Sequence, residues 1–350
     1  MAAPITEARD QHIATMRAFV ISAKNTAGVE EVPVPVAAAG EVVVDVERVG
    51  VCGTDVELFT GEMEYLRDGN ARYPVRIGHE WMGTVTSVGA GVDPAWAGRR
   101  VTGDTMIGCG HCRSCAGGTH WVCEFRTEIG IRGGRAGALA ERIAVPARSL
   151  HALPDTVGAA AGALVEPGGN ALRAVRGAGL GRGDSVLIIG PGTIGLLAAM
   201  FASAAGAEVH LLGRTGTSLE FARSLGFART WTEADIPAEP FDAVIDASNA
   251  PSSPAASVRF VRAGKRVVYI GLSGAPSMLD TRSLVLKDVT AVGVLSASPG
   301  LAGTIEHYAR GRVDPTPLVA ATVGLADAAG VLAGERPSAA GPKIHVDPRR

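Results

Sequence analysis

Residues Asp184–Met200 read DSVLIIGPGTIGLLAAM: a short apolar run, then Gly190-Pro191-Gly192-Thr193-Ile194-Gly195, then a stretch rich in leucine and alanine. The glycines fall as GxGxxG straight after a strand pattern and at the opening of a helix pattern, the context that separates a dinucleotide site from an ordinary turn. Each glycine answers a physical need. The first makes the tight turn, the second lets backbone approach a pyrophosphate, and the third lets helix and strand pack closely. The helix N-terminus adds free N–H groups and partial positive charge for the phosphates. An acid at the end of the following strand would bond the ribose 2′-hydroxyl of NAD. Here VHLLGRTGTS places Gly213, Arg214 and Thr215 there instead. Glycine leaves room for a 2′-phosphate and arginine can pair with it, so NADP(H) is predicted over NAD(H); the competing reading is a solvated surface arginine.

Outward from this stretch the same alternation continues. EVHLLG, FDAVIDA, KRVVYIG and DVTAVGVL are apolar β-type runs separated by helical stretches across Leu219 to Leu225 and near Ser257. Strands alternating with helices predict βαβ units and a parallel sheet covered on both faces, a Rossmann-type α/β domain over 164–298. Before it, 16–163 is made of short β-rich runs divided by glycine and proline, such as GEVVVDVERVGVCG and AERIAVPA, which predict a mainly antiparallel, barrel-like β domain. Residues 1–15 lack periodicity and read as an N-terminal extension; 299–350 holds a helix over Ala302 to Arg310 and a last strand, PKIHVD.

Composition bounds the function. A chain of 350 residues suggests about two domains. Lysine and arginine number 33 against 35 acids, a formal charge of −2, which supplies no footprint for a nucleic-acid backbone. No apolar run is long enough to cross a bilayer as a helix, and MAAPITEARDQHIATM carries charges where a secretory signal would be apolar, so a cytoplasmic protein without membrane or nucleic-acid partners is expected. Four of the five cysteines, Cys109, Cys112, Cys115 and Cys123, crowd into CGHCRSCAGGTHWVC, which favours metal binding over the dispersed framework of a secreted disulfide protein. The fifth, Cys52, sits in GVCGTDVE, with His79 and Glu80 in RIGHEWMGTV and Glu166 in LVEPGG. Their wide spacing alone is compatible with a buried thiol and a satisfied histidine.

Taken together, CGTD, GHE followed by GTVTSVG, the four-cysteine segment, the EP dipeptide and GPGTIG come in the order and at the separations found in the zinc-dependent medium-chain alcohol and polyol dehydrogenases, which the chain resembles from about Met16 to Val346. The resemblance implies a GroES-like catalytic domain, a Rossmann domain and a cleft between them. It implies two zinc ions, one catalytic and one structural. Cys52 and His79 match catalytic zinc ligands, and Glu80 and Glu166 are both candidates for the third. Three protein ligands leave an open position where Lewis-acid chemistry on a substrate oxygen can occur. Thr54 matches a hydroxyl proton relay, and Asp55 a residue that orients the metal ligands. The lobe at about 108–124 matches a structural zinc site: four thiolates close the tetrahedron. The ferredoxin pattern fails, since its fourth cysteine follows after three residues and precedes proline, whereas seven residues intervene here and Glu124 follows. His111 and His120 are then bystanders.

The chain departs from its relatives at two places. Glu57 stands where many carry a histidine as outer proton relay. After the Glu-Pro pair come Gly168, Gly169 and Asn170, which either widen the space near the metal, with Asn170 available to a polar substrate, or serve ordinary packing against a helix NALRAV. Phe59, Met63, Tyr65, Trp81, Met82 and Trp121 are candidates for a substrate lining or for plain core. The mixed lining suggests a secondary alcohol, polyol or sugar-like carbinol, or the matching ketone. The alternatives are a conjugate double-bond reductase of the same superfamily, disfavoured by the complete Cys, His and Glu set, and a non-catalytic NADP(H)-binding sensor. A homo-oligomer, dimer or tetramer, is expected.

Overall fold

The computed structural model describes residues 14–336 and 341–350. The extension proposed for 1–15 therefore lies, up to residue 13, outside the described residues; the first strand is Thr15–Ala23.

Two sheets organise the chain. The first has six parallel strands in the order Thr230–Trp231, Glu208–Leu212, Ser185–Ile189, Phe241–Asp246, Val261–Tyr269, Thr290–Gly293. This is the Rossmann order, with the chain reversing direction across the sheet at Ser185–Ile189. The central strands are near-continuous apolar runs because helices cover both faces: Val186 and Ile188 sit in the core shared with Leu196, Leu197 and Phe201, while Leu187 and Ile189 pack with Val244 and Val267. Helix Thr193–Ala204 buries seven of its residues, at roughly 1.5–3 kcal/mol for each large apolar side chain. Four predicted helices appear as Thr193–Ala204, Gly216–Ser224, Ser253–Phe260 and Leu301–Ala309. The two-residue strand Thr230–Trp231 is too short to show in any sequence pattern.

The second sheet is mixed, with strands Val319–Gly324, Lys343–Asp347, Glu41–Gly50, Glu80–Val88, Arg100–Gly103 and Leu150–Ala152 in that order, and Arg142–Pro146 also pairing with Glu41–Gly50. It is the β unit that the resemblance implies over 16–163, with a core that includes Phe19, Val44, Ile77, Trp81 and Val346. The C-terminal strand returns to this sheet, antiparallel to Glu41–Gly50 through His345–Gly50 and Val346–Val49.

The helix that follows the Glu-Pro pair starts earlier than NALRAV suggests. It spans Val165–Ala178, with Pro167 in its first turn where a missing N–H costs nothing. Gly168 and Gly169 are thus helical, and they form a notch. A Cβ on Gly168 would overlap the Tyr308 hydroxyl, and one on Gly169 would stand 2.9 Å from the Ala297 carbonyl. Tyr308 fills the notch and donates a hydrogen bond to the Leu164 carbonyl at 3.1 Å. Packing, not a widened substrate space, accounts for these glycines.

Candidate active site

Strand pairing assembles the first cluster. Gly50 is the Cα partner of Glu80 across neighbouring antiparallel strands, so Cys52, two residues past Gly50, comes beside His79. The ligand atoms of Cys52, His79 and Glu80 all lie within 4.8 Å of one another. His79 and Glu80 are buried and Cys52 half-buried. A Cβ at Gly50 would overlap the Glu80 carboxylate, so glycine there makes room for it.

Asp55, fully buried, ties the cluster together. Its Oδ2 accepts from the Cys52 backbone N–H at 2.9 Å, its Oδ1 from the Gly78 N–H at 3.3 Å, and its Oδ1 stands 3.5 Å from His79 Nδ1. With Nδ1 turned to Asp55, Nε2 is the nitrogen left for a ligand. Burial disfavours a charged His79, but Asp55 and Cys52 outweigh it and raise its pKa well above the usual histidine value. Thiol, imidazole and carboxylate converging in one partly dry place suit zinc.

Lys343 enters from the C-terminal strand and was not anticipated. Its Nζ donates to Glu80 Oε1 at 2.8 Å, to Glu80 Oε2 at 2.7 Å and to the Val51 carbonyl at 3.0 Å. Both partners are nearly inaccessible, with side-chain exposures of 4% and 2%. Burial alone would depress the ammonium; Glu80, Cys52 and Asp55 around it raise its pKa instead. The signal available in sequence was a lysine inside an otherwise buried strand, which demands a counter-charge.

Glu166 lies on the first turn of helix Val165–Ala178 and is not one of the three converging groups. It is near enough for His79, Glu80 and Lys343 to act on its charge; burial dominates and pushes its pKa to about 7. Asn170, one turn on, donates from Nδ2 to Glu166 Oε1 at 2.9 Å, so its amide serves this carboxyl. Thr54 sits in helix Gly53–Thr60, half-buried, its hydroxyl without a hydrogen bond among the described residues. Glu57, on the same helix, has its pKa raised by burial and then by Glu62.

The aromatic candidates divide. Trp81 and Met82 are fully buried in separate cores and Phe59 is nearly so. The Tyr65 hydroxyl is engaged, donating to Glu128 Oε1 and accepting from Arg126 Nη2, each at 3.1 Å. Met63 is half-buried beside the β-domain core, and Trp121 lies under the Arg173 guanidinium at 5.3 Å.

The second cluster holds Cys109, Cys112, Cys115 and Cys123 within 4.8 Å of one another. The sulfurs of Cys109 and Cys115 are 4.0 Å apart, those of Cys112 and Cys123 3.6 Å. A tetrahedron with Zn–S bonds of about 2.3 Å has edges of about 3.8 Å, so the spacing fits a metal and not disulfides. His120 Nε2 is 2.8 Å from Asp104 Oδ2, and exposed His111 Nδ1 is 3.2 Å from the Cys109 carbonyl, so both rings have partners away from the thiols.

A cleft of about 830 Å³ opens at the carboxyl ends of the parallel strands, lined by Gly190, Pro191, Gly192, Gly213, Arg214 and Thr215 among others. Gly190 has φ +92°, and a Cβ on Gly195 would overlap the Gly190 carbonyl; a Cβ on Gly192 meets nothing within 4 Å, as expected where a ligand approaches. Thr193, Ile194 and Gly195 form the first turn of the helix, whose leading N–H groups lack intrahelical acceptors. At Gly213 a Cβ would stand 2.8 Å from Leu219 and 2.9 Å from Pro191. Protein atoms, not open space for a phosphate, thus border that position. Arg214 is exposed and has no ion pair among the described residues. Thr215 caps helix Gly216–Ser224, accepting from the Ser218 N–H at 3.4 Å. Sequence reading missed Ser248, Asn249, Leu272 and the pair Glu233–Arg259, bonded at 3.2 Å, on the same cleft; most follow strand ends, which is where ligands of open α/β sheets bind.

A family model described as alcohol dehydrogenase GroES-like domain matches residues 38–155, and one described as zinc-binding dehydrogenase matches 193–309. The L-threonine 3-dehydrogenase of Escherichia coli K12 is 30% identical over 275 residues, covering 75% of this chain and 79% of its own. Among solved structures, a zinc-binding dehydrogenase from Sinorhizobium meliloti 1021 bound to NADP superposes with TM-score 0.87 at 28% identity, covering 96% of this chain and 100% of that one. An alcohol dehydrogenase from E. coli CFT073 complexed with NADH has TM-score 0.87 at 26% identity, covering 95% and 99%.

Proposed function

The chain belongs to the zinc-dependent medium-chain dehydrogenase/reductase family, and from that premise we propose that it passes a hydride between NADP(H), in preference to NAD(H), and a secondary alcohol, polyol or sugar-like carbinol, or the matching ketone, the preference resting on Arg214. The carrying observation is the convergence of Cys52, His79 and Glu80, cross-tied by Asp55, in a chain that also bears a dinucleotide-type cleft. The name of the E. coli relative refers to carbon 3 of threonine, a secondary carbinol, which supports the substrate class.

Cys52, His79 and Glu80 would hold the catalytic zinc, with the Glu166 carboxyl as a fourth group at its margin; Cys109, Cys112, Cys115 and Cys123 would hold the structural one. When bound, zinc supplies Lewis acidity toward a carbinol oxygen, and the dinucleotide supplies a hydride acceptor or donor. Asp55 keeps the thiol and imidazole aimed. Lys343 balances the Glu80 charge. Thr54, whose hydroxyl is unengaged among the described residues, takes the carbinol proton, and Glu57, one turn along the helix, is the next group able to pass it on. The Gly190 to Gly195 turn holds the pyrophosphate. We place domain boundaries near 163/164 and 298/299; helix Val165–Ala178 packing on Thr193–Ala204 supports the first, whereas Leu301, Ile305 and Tyr308, past the second, share that same core.

A panel of secondary alcohols, polyols and ketones, each assayed with both dinucleotides, tests the reading. Nicotinamide absorbance should change with at least one; dinucleotide binding without any turnover would favour the sensor. Arg214→Asp should lower kcat/KM for NADP(H) by roughly 10- to 100-fold, the worth of a charge-assisted hydrogen bond, and leave NAD(H) use nearly unchanged. Equal effects on both dinucleotides would remove Arg214 from 2′-phosphate recognition. A homo-oligomer is supported by the sheet edge: strand Thr290–Gly293 ends the parallel sheet, and Met278, Val285 and Leu286 nearby are 78–87% exposed. Light scattering should therefore report a dimer or a larger assembly.

A further inference from the structure

The cysteine lobe reaches beyond its own thiols. His120 and Trp121 lie between its third and fourth cysteines, and each reaches, through one intervening side chain, a different end of the same short segment, Ser296–Ser298, where the chain leaves the parallel sheet for helix Leu301–Ala309. On one side His120 Nε2 donates to Asp104 Oδ2 at 2.8 Å, and Asp104 Oδ1 accepts from Ser298 Oγ at 2.9 Å and from the Met106 N–H at 2.9 Å. On the other, the Arg173 guanidinium lies over the Trp121 ring at 5.3 Å and donates from Nη1 to the Ser296 carbonyl at 3.0 Å. Ser296 Oγ and Ser298 Oγ are 2.8 Å apart, and the Ser298 N–H donates to Ser296 Oγ at 3.1 Å, so the two arms meet. Asp104 and Ser296 are almost fully buried, where a lost partner is costly.

We propose that His120 and Trp121 are positioning residues that brace the Ser296–Ser298 junction through Asp104 and Arg173, so that the folded cysteine lobe sets where the dinucleotide cleft stands relative to the Cys52 cluster. Metal closure of the lobe would satisfy the thiols. The two rings carry the mechanical consequence to the junction. The proposal rests on the reading of the cleft as a dinucleotide site only for its second readout.

The test compares the metal-loaded parent with His120→Ala, Trp121→Leu, Ser298→Ala and the conservative Trp121→Phe. The first readout is amide hydrogen exchange over 294–300, which does not depend on any activity. Exchange there should quicken in His120→Ala, Trp121→Leu and Ser298→Ala and return toward the parent rate in Trp121→Phe, with lobe zinc content unchanged. The second is NADPH affinity, which should weaken about five-fold, near the worth of one net hydrogen bond. His120→Ala and Ser298→Ala should be non-additive when combined, since they break one chain of contacts. Parent-like exchange at 294–300 with zinc retained would overturn the brace, as would an effect that appears only when lobe zinc is lost. Failure of the parent to bind either dinucleotide would instead count against the proposed function.

Discussion

Cys52→Ser is expected to lower kcat/KM by on the order of 10³-fold or more while the cysteine lobe keeps its metal. Serine preserves the shape and the backbone N–H that donates to Asp55 at 2.9 Å, so the local fold survives. What it loses is the ligand: a hydroxyl does not deprotonate as a thiol does, and zinc prefers sulfur and nitrogen donors. The lobe is assembled from a separate run of sequence and shares no ligand with Cys52. Steady-state kinetics with metal analysis checks both halves. Turnover within about ten-fold of the parent would place the chemistry elsewhere.

The second large effect concerns stability. Lys343→Met should destabilise the metal-free protein by about 3–5 kcal/mol, because it leaves the buried Glu80 carboxylate with no cation. Two controls separate this from lost packing. Adding Glu80→Gln should recover much of the loss, since the orphaned charge is gone. Loading the protein with zinc should also reduce the loss, because the metal then supplies positive charge at Glu80. Denaturant unfolding of the parent, Lys343→Met and the double variant, with and without zinc, measures it; a loss below about 1 kcal/mol in Lys343→Met alone would show Glu80 to be solvated or protonated.

The two local motifs were readable from sequence because their geometry is local. GxGxxG lies within one strand-turn-helix unit, and the four cysteines within fifteen residues. The Cys52 cluster was readable only through resemblance, since it depends on the register that pairs Gly50 with Glu80. Lys343 was hidden for the same reason: it meets Glu80 across 263 residues of chain. From sequence alone Asn170 is open to a polar substrate or to packing; with the helix beginning at Val165, Asn170 is one turn from Glu166 and its bond to that carboxyl follows. Trp81 and Met82 are adjacent on one strand, so they face opposite sides of the sheet and bury in different cores. Composition cannot show which side is wet.

The most direct test is a zinc count on purified, fully loaded protein, paired with cobalt substitution. Two ions per chain are predicted, one of them lost in Cys52→Ser and giving a cobalt spectrum distinct from a tetrathiolate. A single tetrathiolate ion in the parent, retained unchanged in Cys52→Ser, would contradict the account.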